Sequence, residues 1–310
     1  MKVTASSPDI ADALCSISGC SVALNVPLSG FTTWKTGGPA RYMIQVENRE
    51  ALRDVLLRVR EAGVETLVLG NGSNVLAADR GFTGAVLRLK GSLSLVDIDG
   101  DVLSAGAGAS LGAAVQGAAR ASLSGLEFAL GIPGTAGGAV MTNAATRTGS
   151  TAGVLREVEV LNVDGDEEKL TSFADAYREP LVPLDNIVTA ASFKLDRAEV
   201  GAIKARMEEA RAKREATQPV GAATAGSVFK NPAGDSAGRL LDACGLKGKS
   251  IGAATVSPLH ANFIVNVGGA KAADIRALME TMVSEVKDRF GIDLKPEVRL
   301  IGFKEERGGR

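Results

Sequence analysis

Gly131-Ile132-Pro133-Gly134-Thr135-Ala136-Gly137-Gly138-Ala139 sets four glycines and one proline among small and apolar residues. That mixture is too ordered for a flexible linker. It suits backbone lying flat against a ring or a pyrophosphate. The plainer alternative is a tight turn with a close glycine contact. A second stretch, Gly70-Asn71-Gly72-Ser73-Asn74, follows a β-rich run directly. Its glycines admit φ > 0, successive N–H groups in such a turn form an anion-binding nest, and Ser73 and Asn74 add side-chain donors. Two loops of this kind flanking an α/β unit favour a nucleotide-like ligand. The common phosphate motifs fail. Gly248-Lys249-Ser250 ends like a P-loop, but its first glycine would fall on Ala243. A GxGxxG fingerprint would need glycine at Val75 or Leu111.

Outward from these loops, periodicity predicts a strand over 40–46, a helix over 50–62 ended by Gly63, and strands over 66–70 and 84–89. The middle of the chain reads as antiparallel α+β. Residues 94–106 form a hairpin about Asp99-Gly100-Asp101, and 154–163 a strand turned by Asp164-Gly165-Asp166, with another strand over 186–195. Ser110 is placed to cap a helix. A charged helix over 197–216 carries Val200, Ile203, Met207 and Ala210 on one face, until Gln218-Pro219-Val220-Gly221 breaks it. Beyond lie a strand over 225–229, a helix over 236–244, a strand over 262–267, a long helix striped by Ile275, Leu278, Met279, Met282 and Val286, and a strand over 297–303. Three parts are expected: 1–92, 93–217 and 218–310.

Thirty-five Lys and Arg against 36 Asp and Glu leave a formal charge of −1 over 310 residues, which argues against a basic nucleic-acid binder. One histidine and three cysteines without a CxxC pair exclude most zinc chemistry, so no metal is expected, and the sparse thiols suit a reducing compartment. Met1-Lys2-Val3 leads into polar and acidic residues rather than an apolar signal core. The expectation is a cytoplasmic protein without a membrane partner.

Eight pieces in order carry a family resemblance. They are Thr32-Thr33-Trp34-Lys35-Thr36-Gly37-Gly38-Pro39-Ala40, the Gly70–Asn74 loop, the Gly131–Gly138 loop, Tyr177-Arg178, Arg214 with Gln218-Pro219, Gly226-Ser227-Val228-Phe229-Lys230-Asn231-Pro232, His260-Ala261-Asn262-Phe263, and Glu297-Val298-Arg299. With these the chain resembles the UDP-N-acetylenolpyruvoylglucosamine reductases, the MurB family of peptidoglycan precursor synthesis. The resemblance implies an α+β chain with a two-part FAD-binding fold of the vanillyl-alcohol-oxidase type, followed by an α/β domain that binds the UDP-sugar. It implies bound FAD, NADPH as co-substrate, UDP-N-acetylglucosamine enolpyruvate as substrate, and a monomer. With only Tyr42 and Tyr177 present, the chain looks like the shorter subgroup without a substrate-closing tyrosine loop.

The resemblance also implies roles. Ser227 matches the proton donor, Arg178 the active-site arginine and Glu297 the catalytic carboxylate. A serine hydroxyl needs a strongly basic carbanion opposite it, a guanidinium suits a carboxylate gaining charge, and a carboxylate beside that charge must be protonated or orient a donor. Gly70, Asn71, Gly72, Ser73, Asn74, Gly131, Ile132, Gly134, Thr135, Gly137 and Gly138 fall on the cofactor loops. Tyr177, Arg214, Lys230, Asn231 and Arg299 fall on the substrate side, and His260 reads as a structural hydrogen-bonder. Two departures stand out: Ala144-Ala145-Thr146-Arg147 replaces the family's usual Ala-Gly-Ala with a nearby aromatic, and Pro180 replaces a serine after Tyr177-Arg178. Another flavin-dependent oxidoreductase on the same fold, or a non-catalytic nucleotide-sugar-binding module, are the alternatives.

Overall fold

The computed structural model describes residues 10–162 and 164–303. The readings at Met1 to Asp9 and at Val163 lie outside the described residues. Contacts divide the chain into two compact units. One takes the described residues up to Leu24, then Tyr42–Gly70 and Gly84–Arg211; the other takes Asn25–Arg41, Asn71–Thr83 and the described residues from Ala212 on. Among the described residues no helix is long and apolar enough to cross a membrane.

Strands β1 (Cys20–Pro27), β2 (Pro39–Val46), β5 (Phe82–Leu89) and β3 (Thr66–Val68) form a sheet in that order, with β3 parallel to β5. In the first unit the short helix α1 (Ala11–Cys15) buries Leu14, and α2 (Arg49–Glu61) starts where Asn48 Oδ1 accepts the Ala51 N–H. The apolar positions of α2, Ala51, Leu52, Val55 and Val59, recur at helical spacing and are all buried.

A second sheet orders β12 (Glu167–Leu170), β11 (Leu155–Leu161), β13 (Ile187–Lys194), β7 (Val102–Gly106) and β6 (Val96–Asp99). Every pairing in it is antiparallel, as the tight turns require. Ser110 caps α3 (Leu111–Arg120) as its position predicts, its Oγ accepting the Ala113 N–H at 3.1 Å. Short ribbons join β8 (Leu123–Ser124) to β14 (Asp196–Arg197) and β9 (Ala145–Thr146) to β10 (Gly149–Ser150). The glycine-rich stretch contains an unforeseen helix, α4 (Ala136–Thr142), started by Thr135 Oγ1 accepting the Gly138 N–H. Helix α5 (Val200–Thr217) forms where expected, yet of its predicted stripe Ile203 alone is buried. Charged residues dominate the rest of its surface.

In the second unit β15 (Ser250–Ile251), β16 (Ala254–Val256) and β17 (Ile264–Asn266) make an antiparallel sheet. Helices α6 (Ala237–Ala243) and α7 (Ala272–Phe290) pack there, and the whole predicted stripe of α7 is buried. Strand β4 (Val75–Ala77) pairs in parallel with β18 (Arg299–Ile301). Trp34 and Leu76 sit in one core with Leu240, Ile264, Leu278 and Met282. Within the expected first part of the chain, 25–41 and 71–83 share contacts with the described residues from Ala212 on. The strand expected over 225–229 is reduced to two isolated bridges, Ser227 to Phe263 and Phe229 to Pro296.

Asp79 ties one of these inserted segments to α7. Its two carboxylate oxygens accept the Ala272 and Ala273 N–H groups at 2.8 and 2.9 Å, at the positive end of a 19-residue helix. Asp79→Ala is expected to cost about 1 kcal/mol, the usual worth of a lost helix cap. Urea unfolding followed by circular dichroism checks this, and an unchanged midpoint would contradict it.

Candidate active site

Ser227 lies between Gly226, which has φ +78°, and the buried pair Val228 and Phe229. Those two side chains anchor the turn while Ser227 stays half-buried. The Val228 N–H donates to Asn262 O at 2.9 Å, and Val228 O accepts the Glu297 N–H at 2.8 Å. Lys230 N–H donates to Lys295 O. The segments carrying Ser227 and Glu297 are therefore hydrogen-bonded neighbours, although 70 positions apart. Along 297–299 the buried residue is Val298; Glu297 is half-buried and Arg299 exposed, which puts the two charges on one side of the strand start.

Asn74, expected to face a cofactor, also braces Glu297. Its Nδ2 donates to Glu297 O at 3.1 Å, and its own carbonyl accepts the Arg299 N–H at 2.9 Å. Beside it the 71–74 loop is shaped by Gly72. A Cβ there would meet Phe31 O at 2.1 Å, and φ is +60°. Gly72 O accepts both the N–H and the hydroxyl of Thr33. The amides of Gly72, Ser73 and Asn74 donate to no acceptor among the described residues. Three successive uncommitted N–H groups fit the phosphate of a dinucleotide such as FAD.

The Gly131–Gly138 loop of the first unit is built differently. The Ala136 and Gly137 N–H groups donate to Ala109 O and Ala107 O, and Gly138 N–H to Thr135 Oγ1. A Cβ on Gly137 would sit 2.8 Å from Ala107 Cβ. Its helix-start donors are committed and this glycine serves close packing, while Gly131, Pro133 and Gly138 are exposed. Across the same unit, Cβ of a residue at Gly70 would meet Thr135 Oγ1 at 2.6 Å, so Gly70 is fixed by that contact too.

Also in the first unit, Arg178 adopts φ +56°, a left-handed conformation that non-glycine residues rarely take and that clusters at functional sites. Its Nη2 donates to Ala145 O at 3.2 Å, inside the segment that departs from the family pattern. Asn143, 2% exposed, holds the approach to it: Nδ2 donates to Asp175 Oδ1 and Ala176 O, and Oδ1 accepts the Ala152 N–H. Tyr177 is 51% exposed, with the Arg178 guanidinium 6.0 Å from its ring centre. Among the other substrate-side residues, Arg214 Nε donates to Gln218 Oε1 at 3.0 Å, and Asn231 Oδ1 accepts the Ala237 N–H at the start of α6.

His260 is held as a structural group. Its Nδ1 accepts the Asn262 N–H at 3.2 Å, its ring lies 4.8 Å from that of Phe263, and a Cβ on Gly238 would come within 2.9 Å of its Cε1. Burial, with a smaller push from Lys247, holds the imidazole below its ordinary 6.5. Nδ1 can accept only when unprotonated, so geometry and titration agree. The unfolded chain binds this proton more readily, hence stability from this group is complete above about pH 6.5 and is lost as pH falls through the lower folded value. Thermal unfolding between pH 7.5 and pH 5.5 should show a falling Tm, with a shallower slope in His260→Gln; equal slopes would contradict this.

The region 40–171 matches a family model described as an FAD binding domain, and 218–301 matches one described as UDP-N-acetylenolpyruvoylglucosamine reductase, C-terminal domain. A UDP-N-acetylenolpyruvoylglucosamine reductase of Anaeromyxobacter dehalogenans is 43% identical over 90% of this chain and 85% of its own. The chain belongs to the UDP-N-acetylenolpyruvoylglucosamine reductase family. Another reductase of that name, from Bacillus licheniformis, is 40% identical over 90% of this chain and 94% of its own. The solved reductase of Thermus caldophilus superposes with a TM-score of 0.80 at 40% identity, covering 91% of this chain and 99% of that one. Within this reductase family framework the fold is the expected α+β one, an FAD-binding region followed by the reductase C-terminal domain. Sequence reasoning did not single out Asn143 or Asn262, whose amides brace the neighbourhoods of Arg178 and Ser227. Both sit in quoted or adjoining motifs, but their burial is legible only in three dimensions.

Proposed function

We infer that this chain is an FAD- and NADPH-dependent oxidoreductase that reduces UDP-N-acetylglucosamine enolpyruvate to UDP-N-acetylmuramate for peptidoglycan synthesis. Identity of 43% over 90% of the chain, running through both matched regions, carries the reading. Bound FAD supplies the hydride that the enolpyruvyl methylene carbon receives. On that reading the Gly72, Ser73 and Asn74 amides take a phosphate of the cofactor, with Gly70, Asn71, Gly131, Ile132, Gly134, Thr135, Gly137 and Gly138 completing its loops.

The chain's own residues then manage charge and the proton. Adding a hydride to the methylene carbon leaves the adjacent carbon with an electron pair, beside the substrate carboxylate. The Ser227 O–H breaks as a C–H bond forms there, and the serine is reprotonated from solvent. The Arg178 guanidinium, always charged, takes the carboxylate as negative charge builds. Glu297 works either protonated or as the acceptor that orients a donor, because a bare carboxylate would oppose that charge. The Glu297 N–H bond to Val228 O supports a joint role with Ser227. Tyr177, Arg214, Lys230, Asn231 and Arg299 are assigned to the UDP-sugar. We assign the three parts 1–92, 93–217 and 218–310 to the two FAD-binding portions and the substrate domain. The working form is a cytoplasmic monomer without nucleic-acid or membrane partners, a reading supported in part by the formal charge of −1.

The test is direct. Purified protein is expected to be yellow and, anaerobically, to oxidise NADPH beyond one equivalent per flavin only when the enolpyruvyl substrate is present. A colourless protein that takes up no FAD, or NADPH oxidation indifferent to that substrate, would contradict the assignment.

A further inference from the structure

Phe229 is buried to 1% exposure; its segment is bridged to Pro296 along one edge, and its own N–H and C=O face the other edge. Asn262, 2% exposed, fills that edge with its side chain. Asn262 Oδ1 accepts the Phe229 N–H at 3.0 Å and Nδ2 donates to Phe229 O at 2.8 Å, the two bonds a neighbouring strand would make. The Asn262 carbonyl accepts the N–H of Val228, so one residue holds the two positions directly after Ser227. Asn262 is itself fixed: its N–H donates to His260 Nδ1 at 3.2 Å, and Ser257 Oγ accepts the Leu259 and His260 N–H groups. A carboxamide is the side chain that offers one donor and one acceptor at this spacing. Aspartate lacks the donor, and an apolar residue lacks both.

We propose that Asn262 is a positioning residue for proton delivery, its amide clamping the backbone of Phe229 so that the Ser227 hydroxyl is held in reacting geometry. The proposal rests on the reductase reading and on Ser227 as proton donor. It assigns Asn262 no contact with substrate. Proton transfer requires hydrogen-bond-range placement, and a displacement of about 1 Å can cost about 10²-fold in rate. Hydride uptake from NADPH does not use the serine, so the two half-reactions respond differently to loosening of this clamp.

The experiment uses the full-length FAD-bound protein as wild type, Asn262→Asp, Ser227→Ala and the double variant. Asn262→Asp keeps the volume and the acceptor for the Phe229 N–H; Asn262→Ala replaces it if the carboxylate is not tolerated. NADPH reduction of the flavin and its anaerobic reoxidation by UDP-N-acetylglucosamine enolpyruvate are followed separately. Hydrogen exchange is measured at Val228 and Phe229. The expected result is an unchanged first half-reaction, a second slowed by about 10–100-fold, an unchanged substrate Kd, and faster exchange at 228–229 with α7 still protected. In the Ser227→Ala background the substitution should have no further effect on rate, because the clamp acts through that hydroxyl.

An equal further loss in the Ser227→Ala background, a loss in both half-reactions, or unchanged exchange at 228–229 would overturn the clamp while leaving the reductase reading intact. A wild-type protein whose reduced flavin is not reoxidised by the substrate would overturn both.

Discussion

Ser227→Ala is expected to leave reduction of the bound flavin by NADPH intact and to slow reduction of the enolpyruvyl substrate by about 10²–10⁴-fold, the usual worth of a positioned general acid. The division follows from the electron count. Hydride transfer from NADPH moves no proton through the serine, whereas saturating the enol-ether double bond needs one at the carbon beside the carboxylate. Removing one hydroxyl from a half-buried turn should not disturb the fold, because Val228 and Phe229 remain buried at 0% and 1% exposure. Single-turnover kinetics separate the two halves. Near wild-type rates in the second half would remove Ser227 from the mechanism, and equal loss in both would recast it as a structural residue.

Trp34→Ala is expected to destabilise the protein by about 3–5 kcal/mol, the range for a large aromatic deleted from a core. Trp34 is fully buried among Leu76, Leu240 and Leu278, and its Nε1 donates to Ile264 O at 2.8 Å. Asn266 Nδ2 donates to Trp34 O at 2.8 Å, so both ends of this contact lie in the β17 strand. Truncation opens a cavity and leaves the Ile264 carbonyl without that donor. A fall in Tm of about 10 °C is expected, since each kcal/mol moves a mid-sized domain a few degrees. Trp34→Phe, which keeps most of the ring volume, should lose about 1 kcal/mol, the net worth of one hydrogen bond. The chain holds a single tryptophan, so circular dichroism rather than fluorescence must follow the variants. Equal stability of Trp34→Ala and wild type would contradict the packing account.

What could be read from the sequence was what local chemistry fixes. The stripe of α7, the Ser110 cap of α3 and the hairpin at Asp99-Gly100-Asp101 each depend on residues within a turn or two of one another, and each formed as expected. The misread segment at 225–229 depends on partners at 262 and 296, and its apolar alternation carries no trace of where those lie. Helix α4 was hidden by its two glycines, poor helix formers; the Thr135 cap and the bonds to Ala107 O and Ala109 O hold it instead. Strand β1 escaped notice although Cys20, Val22, Leu24 and Val26 alternate with smaller or polar residues, and none of its residues is buried.

At the site the same division holds. Ser227, Arg178 and Glu297 are candidates through motif resemblance, whereas the proximity of the segments carrying Ser227 and Glu297 is set by the Glu297 N–H bond to Val228 O, which no motif announces. Asn143 and Asn262 look like ordinary loop residues in one dimension, and Asn74 reads as a donor on a cofactor loop. Their side chains instead carry backbone groups of the candidate catalytic segments, which burial and pairing reveal.

The most direct measurement is an anaerobic single turnover. Holoprotein reduced by one equivalent of NADPH is mixed with UDP-N-acetylglucosamine enolpyruvate while flavin absorbance and product are recorded together. The account predicts full return of the oxidised flavin spectrum with one UDP-N-acetylmuramate formed per flavin. A flavin that stays reduced in the presence of that substrate would contradict it.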